Sequence, residues 1–211
     1  MQVFLETERL VLRRFTEADA DNLFELDSDP EVMRFLNGGT PTPREMIENV
    51  TLPKFLHYDE GFEGFGYWAA IEKSTGEFLG WFGFGPRNDS SPHNVELGYR
   101  LRRSAWGKGY ATEGARALIR KGFTELGVQC VFATTYQDNL ASRRVMEKAG
   151  LTLVRTYRLA PADLFAGGTG ALPSQDLWEG VDVEYALERA GWERQEAAGH
   201  RKRTADGRST E

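Results

Sequence analysis

The sequence predicts an α/β fold: one mixed sheet flanked by helices, in a domain spanning residues 1–190, with a polar tail at 191–211. Three observations predict it. Residues 95–101 alternate Val95, Leu97, Tyr99 and Leu101 with Glu96, Gly98 and Arg100, the period of a strand; from Ala111 the apolar residues switch to helical spacing, through Ala115, Leu118, Ile119, Phe123 and Leu126. Residues 67–71 and 78–84 flank the turn Ser74-Thr75-Gly76, which reads as a hairpin. Beyond residue 127, strand and helix patterns alternate to the end of the domain.

In chain order, residues 10–15 read as the first strand. Thr16-Glu17-Ala18-Asp19 resembles a capping box with Asp in place of Glu, opening a helix with Ala20, Leu23 and Phe24 on one face. Asp29-Pro30 opens a second helix, with Pro30 at the first position, where a missing N–H costs nothing; Asn37-Gly38-Gly39 ends it. Thr42-Pro43-Arg44-Glu45 is another capping box, opening a helix that Pro53 should break or kink. A glycine-punctuated loop at 61–66 precedes the hairpin, and a polar loop at 86–94 follows it. Gly127 stops the helix that begins near Ala111. Residues 128–135 form the next strand, Asn139 caps a helix ending before Gly150, and 153–157 and 181–187 are the last strands. The loop at 160–180 is long for a hairpin connection. The tail carries a weak helix start and the short run Arg201-Lys202-Arg203, a solvated feature offset by nearby acidic residues.

Composition narrows the partners. With 211 residues, 40% hydrophobic, the chain can bury a sizeable core. A net charge of −6 argues against a nucleic-acid surface or an anionic membrane and suits a cationic substrate such as an amine. One cysteine precludes an internal disulfide and fits a reducing cytoplasm; no apolar run spans a bilayer and no signal-peptide pattern is visible, so the expected location is cytoplasmic.

The candidate site lies between the strand at 95–101 and the helix that follows: Trp106-Gly107-Lys108-Gly109-Tyr110. Such a turn leaves backbone amides unpaired at the positive end of a helix dipole, an anion site. Gly107 and Gly109 let a diphosphate approach the backbone, and Arg102, Arg103 and Lys108 add positive charge. A P-loop is excluded because Gly109, not Ser or Thr, follows Lys108; a dinucleotide fingerprint is disfavoured because Thr112 stands at its third glycine and the strand at 130–135 ends without an acidic residue.

Glu96-Leu97-Gly98-Tyr99, followed by Trp106-Gly107-Lys108-Gly109-Tyr110-Ala111-Thr112-Glu113, resembles the acyl-coenzyme A motif of the GNAT acetyltransferases, its RimJ/RimL-like branch in particular. A second segment, Asn139-Leu140-Ala141-Ser142-Arg143-Arg144-Val145-Met146-Glu147-Lys148-Ala149-Gly150-Leu151, is similar to that branch's N-x-x-S…E-K-x-G-[FL] motif. The resemblance covers roughly residues 6–157. It implies a single GNAT-type domain with a mostly antiparallel sheet and a strand–turn–helix acyl-CoA cradle. It further implies acetyl-CoA as co-substrate and no metal. The diphosphate would rest on the backbone of 103–111, and the pantetheine arm would pair like a strand with Tyr99 and Leu101. The coenzyme-contacting set so implied is Tyr99, Leu101, Arg102, Arg103, Ser104, Trp106, Gly107, Lys108, Gly109, Tyr110, Ala111, Thr112, Asn139, Ser142 and Arg144.

Acetyl transfer to an amine needs a base, an oxyanion donor and a partner for the departing thiolate. Glu96 is the first candidate base, against the alternative of a solvated strand glutamate; His93 is the rival. The oxyanion donor should be a backbone N–H near Leu97–Tyr99, where Gly98 suggests a close approach. Many GNAT enzymes use a tyrosine for the thiolate, but the matching position is Met146; the branch resemblance suggests Ser142, against the alternative of a second capping hydroxyl. Asn139 serves as an N-cap, a contact to the arm, or both. Two candidate ligands, His93 and Glu96, make a poor metal site, and Cys130 reads as packing. Acceptor specificity should lie in 35–66, 86–94 and 160–180, with Asp27, Asp29, Asp59 and Glu60 attracting a cation and Trp68, Trp81 and Phe84 as pocket walls or core. The expected activity is acetyl transfer from acetyl-CoA to a primary amine of a small molecule or a protein N-terminus, by direct attack in a ternary complex. The alternative is a non-catalytic acyl-CoA-binding or sensing module. The expected partners are the amine acceptor and, optionally, a second copy in a homodimer, with no nucleic acid and no membrane.

Overall fold

Among the described residues the strands form one sheet of eight: β1 (Val3–Glu6), β2 (Leu10–Arg14), β3 (Gly66–Glu72), β4 (Phe78–Pro86), β5 (Asn94–Leu101), β6 (Cys130–Tyr136), β7 (Thr152–Tyr157) and β8 (Asp182–Glu188). The computed structural model describes residues 2–58, 63–86, 91–158 and 180–206. The strand order is β1-β2-β3-β4-β5-β6-β8-β7, and every neighbouring pair is antiparallel except β5 and β6. The sheet is therefore mixed and mostly antiparallel, as expected.

Among the described residues seven α-helices flank it: α1 (Ala20–Asp27), α2 (Pro30–Asn37), α3 (Arg44–Met46), α4 (Leu52–His57), α5 (Tyr110–Thr124), α6 (Leu140–Lys148) and α7 (Arg189–Asp206). On one face, Leu10, Leu12, Phe82, Phe84, Leu97, Val131 and Tyr185 pack with Leu118, Ile119, Phe123 and Met146 of α5 and α6. On the other, Phe15, Tyr67, Ala69 and Trp81 pack with Leu23, Leu26, Val32, Leu52 and Phe55 of α1, α2 and α4 and with Ile47, which follows α3. Each large side chain so buried contributes about 1.5–3 kcal/mol. Helix α5 lies unusually close to β4: a Cβ at Gly114 would stand 2.3 Å from Cζ of Phe82, and one at Gly122 2.6 Å from Cζ of Phe84.

Several local expectations are corrected. A strand, β1, precedes the one expected to come first; it pairs with β2 and stacks Phe4 on Trp68 at 4.0 Å. Thr42 does not cap a helix: Pro43 is the N-cap residue, and the Thr42 hydroxyl is buried with no hydrogen-bond partner among the described residues. Pro53 does not break its helix. A π turn (Ile47–Thr51) comes just before it, with Leu52 N–H donating to Ile47 O, and the wider turn absorbs the proline one residue later. The Asp-for-Glu box at Thr16 does form, Thr16 N–H donating to Asp19 at 2.9 Å. The tail is more than a weak helix start. Helix α7 runs through position 190/191, packs Trp192 at a tilt against Phe123 with ring centroids 5.4 Å apart, and donates from Gln195 to Gly150 O. Residues 159–179, which hold most of the long loop, lie outside the described residues, as do Asp59, Glu60, 61–62 and 87–90.

Candidate active site

The one parallel pair shapes the site. Strands β5 and β6 pair at Asn94–Cys130, Val95–Val131 and Glu96–Phe132, and then part. Beyond that point β5 keeps β4 on its other side as far as Gly80–Leu101, while β6 keeps β8 as far as Tyr136–Asp182. The edge of β5 from Leu97 to Leu101 is thereby opened toward a wedge whose apex is Glu96, about 17 Å from Leu101 at about 3.3 Å per residue.

At the wide end, β5 runs into a short 3₁₀ turn (Arg103–Ala105) and the loop 106–109, then α5. Gly107 and Gly109 hold φ of 73° and 87°, left-handed values that a side chain resists, so glycine is needed here for backbone conformation. No backbone carbonyl among the described residues accepts from the amides of 107–112; the first helical bond is Glu113 N–H to Gly109 O. Those donors sit at the N-terminus of a 15-residue helix, the arrangement that receives an anion.

The cradle is braced from behind by residues the sequence reading passed over. Arg9 donates from Nη1 to Lys108 O at 2.9 Å and from Nε to Glu113 at 2.7 Å, and lies over the Tyr110 ring. Glu113 also accepts from Thr7 Oγ1 at 2.6 Å and Arg9 N–H at 2.8 Å. Burial alone would raise the Glu113 carboxyl, but the bonds from Thr7 and Arg9 hold it below its ordinary value. Between 99 and 106 positions separate these hydrogen-bond partners, so no local signal pointed to Arg9.

The remaining cradle residues divide by what their side chains do. Arg102 pairs with Glu25 at 2.7 Å and Arg103 with Asp29 at 2.6 Å, so both guanidiniums are engaged by α1 and its neighbour α2. Trp106 donates its indole N–H to Leu101 O at 2.8 Å. Tyr110 is buried and donates to Glu72. Ser104, Lys108 and Arg144 are exposed, while Ala111 and Thr112 are half-buried. The loop thus offers main-chain donors and the exposed Lys108, with Arg102 and Arg103 anchored on acidic residues beside it.

Glu96 is 7% exposed and accepts from Thr134 Oγ1 at 3.3 Å, so it is not a solvated strand residue. It shares its sheet face with Gly98 and Arg100, toward α1 to α4. Lys54 of α4 stands over the Tyr67 ring on this side. Burial lowers the Lys54 ammonium's pKa and the Glu96 carboxylate partly restores it. His93 is not brought to the apex: it sits before β5, its Nδ1 bonded to Gly127 O at 3.0 Å. Arg100 holds Asp27 at 2.6 Å, so both Asp27 and Asp29 are already paired with arginines. Trp68, Trp81 and Phe84 are core. The Cys130 thiol is pushed up by burial and by Glu188 and Glu184, which keeps it protonated. No group of three metal-ligating side chains occurs among the described residues.

Across the wedge, Asn139 caps α6 through Ser142 N–H at 3.2 Å and anchors its amide on Thr135 at 3.1 Å. The cap is therefore supplied by Asn139, and the Ser142 hydroxyl is left for another partner, Tyr99 OH at 3.0 Å. Met146 lies one turn on and is buried in the core.

Residues 9–152 match the family described as the acetyltransferase (GNAT) domain. The chain is 34% identical over 198 residues to the FsC-acetyl coenzyme A-N(2)-transacetylase of Aspergillus fumigatus, covering 90% of this chain and 78% of that protein. A solved acetyltransferase from Agrobacterium tumefaciens superposes with a TM-score of 0.64 at 27% identity, covering 87% of this chain and 93% of that one. RimL, a ribosomal L7/L12 alpha-N-protein acetyltransferase solved with coenzyme A, superposes with a TM-score of 0.70 at 18% identity, covering 89% and 98%; at that identity the likeness is one of fold.

Proposed function

Because the chain belongs to the GNAT acetyltransferase family and is an acetyl-CoA-dependent N-acetyltransferase, we propose that it moves the acetyl group directly onto a primary amine held at the apex of the β5–β6 wedge. The acceptor is a small-molecule amine or a protein N-terminus. The similar Aspergillus protein is an FsC-acetyl coenzyme A-N(2)-transacetylase, and RimL is a ribosomal L7/L12 alpha-N-protein acetyltransferase. The observation that carries the reading is the parting of β5 and β6 directly after the Glu96–Phe132 pair. It opens a strand edge running from a buried carboxylate to a turn with unpaired amides, and an acyl-CoA extended along that edge spans both.

In this reading the amides of 107–112 hold the diphosphate, with Lys108 beside them. The open edge of β5 at Tyr99 and Leu101 pairs with the pantetheine arm, which also passes Asn139. An amide of β5 near Gly98 donates to the thioester oxygen as it becomes anionic. Glu96 takes the proton of the acceptor ammonium, directly or through one water, and the amine nitrogen attacks the carbonyl carbon. The C–S bond breaks, and Ser142 donates to the departing sulfur. Binding both reactants in one cleft removes the entropy cost of a bimolecular encounter.

The test is acetyl-CoA-dependent thiol release across a panel of small amines and N-terminal peptides. Glu96→Gln should lower kcat by about 10²–10⁴ while acetyl-CoA binding is kept. Turnover at the wild-type rate in that variant, over the whole pH range, would remove Glu96 from the mechanism.

A further inference from the structure

The side chain of Tyr99, a half-buried phenol in the wedge, has no part in the mechanism above. Tyr99 projects from β5 toward α6, packed beside Phe82 at 6.1 Å. Its hydroxyl lies 3.0 Å from Ser142 Oγ and 3.1 Å from Ser142 O. These bonds join residues 43 positions apart, from opposite sides of the wedge. Ser142 Oγ has Tyr99 as its hydrogen-bond partner.

Counting protons shows what this pair can do. A phenol has one proton to give and a serine hydroxyl one. The Ser142 carbonyl only accepts, so when Tyr99 donates to it, the Ser142 proton turns to the phenol oxygen and is not available to a ligand. When Tyr99 donates to Ser142 Oγ instead, the Ser142 proton is free to point into the wedge. The helical carbonyl of Ser142 can take the N–H of Met146, one turn on, and so is not orphaned by the change. Burial pushes the Tyr99 phenol above its ordinary value, with the Ser142 bond opposing; it stays neutral and does not act as a proton source.

We propose that Tyr99 is a positioning residue that sets the Ser142 hydroxyl, so that the serine proton is turned onto the sulfur as the thiolate leaves. The inference rests on the Ser142 role proposed above and adds a side chain from the opposite strand. As the C–S bond breaks, the electron pair stays on sulfur. Ser142 O–H donates to the sulfur, Tyr99 O–H donates to Ser142 Oγ, and neither hydroxyl ionises. After the C–N bond forms the nitrogen sheds its second proton, which reaches the sulfur through solvent and completes the thiol, and the proton accepted by Glu96 is released to solvent. Two hydroxyls in series take the place of the phenol that Met146 cannot provide.

The experiment is a double-mutant cycle of Tyr99→Phe and Ser142→Ala on the full chain, reading kcat, KM for acetyl-CoA and melting temperature. Tyr99→Phe keeps the ring and removes only the hydroxyl. It should lower kcat about tenfold, one hydrogen bond's worth, with KM and melting temperature near wild type. The double variant should be no slower than Ser142→Ala alone, and no ionisation near pH 10 should appear or vanish in the kcat profile. Losses that multiply would mean Tyr99 and Ser142 act separately, and an unchanged kcat in Tyr99→Phe would mean the phenol does nothing; either overturns the inference. If Ser142→Ala retains wild-type kcat, the Ser142 assignment itself fails, and with it the pair.

Discussion

Replacing Gly109 by alanine tests whether the cradle depends on backbone conformation. Gly109 is the N-cap residue of α5 at φ 87°, ψ −1°. An L side chain in the left-handed region costs about 1–2 kcal/mol. The new Cβ would lie 3.4 Å from Arg9 Nη2, an ordinary contact with the end of a flexible side chain, so strain is the main term. It can appear in two places. If the loop keeps its shape, the whole 1–2 kcal/mol is lost from stability. For a chain of this size that is roughly 2–4 °C of melting temperature per kcal/mol. If the free loop relaxes to a right-handed conformation, stability is spared and the ligand must restore the turn, weakening acetyl-CoA by about 5- to 30-fold. The two losses should therefore sum to about 1–2 kcal/mol. Melting curves of the free protein and calorimetric titration with acetyl-CoA measure both. Gly107→Ala is the comparator, at φ 73° with open space around its Cβ position, and should show a similar sum. Wild-type stability and affinity in both variants would refute the reasoning. A loss of affinity beyond 100-fold would mean the methyl group blocks the ligand directly.

Other outcomes follow from named contacts. Arg9→Ala removes the brace on Lys108 O and Glu113, and should raise KM for acetyl-CoA about tenfold with little change in kcat by steady-state kinetics. Asp19 is 2% exposed and takes both Arg13 Nη atoms at 2.8 and 2.7 Å. Burial opposes its ionisation, but Arg13 and Thr16 together hold its carboxyl below the ordinary value. Its contribution is therefore present above the unfolded value of about 3.9 and is lost as pH falls through the folded one. Asp19→Ala should cost about 3 kcal/mol in urea melts at pH 7, with the gap from wild type closing below about pH 4. Gly114→Ala gains about 1 kcal/mol of helix propensity but drives a methyl into the buried Phe82 ring, so a net loss of up to about 2 kcal/mol is expected by thermal melting. Gly199→Ala, with nothing near its Cβ position, should be neutral or stabilising.

How much of this was legible depended on whether the determinant was local. The β5 strand, the glycine turn and α5 carried their own periodicity and punctuation, so this strand–turn–helix could be read from residues 95–126. The π turn before Pro53 could not: nothing in Ile47–Thr51 announces a wider turn, and the proline alone argues for a break. Thr42 looked like a cap because hydroxyl and glutamate stood three apart, yet burial took it instead. Gly114 and Gly122 weaken a helix on propensity alone; only the Phe82 and Phe84 rings across the layer explain them. The sequence shows the sign of Arg102 and Arg103 but not their partners, because Glu25 and Asp29 lie on another layer.

The same division explains why the candidate catalytic groups are the hardest to assign from sequence. Glu96, Tyr99, Thr134 and Ser142 come from β5, β6 and α6, and each is unremarkable within its own element. Glu96 meets Thr134 on one face of the sheet and Tyr99 meets Ser142 on the other, where a single parallel pair, β5 with β6, stops after Glu96–Phe132 while its antiparallel neighbours on both sides continue. A sheet that pairs fully would bury Glu96 against a continuous ladder and leave β5 no edge to offer. A sheet that parted earlier would lose the pairing that fixes the carboxylate beside Thr134. The site is thus set by where one ladder ends, with hydrogen bonds such as Tyr99–Ser142 bridging the gap. Changes that move that end should alter turnover before they alter stability.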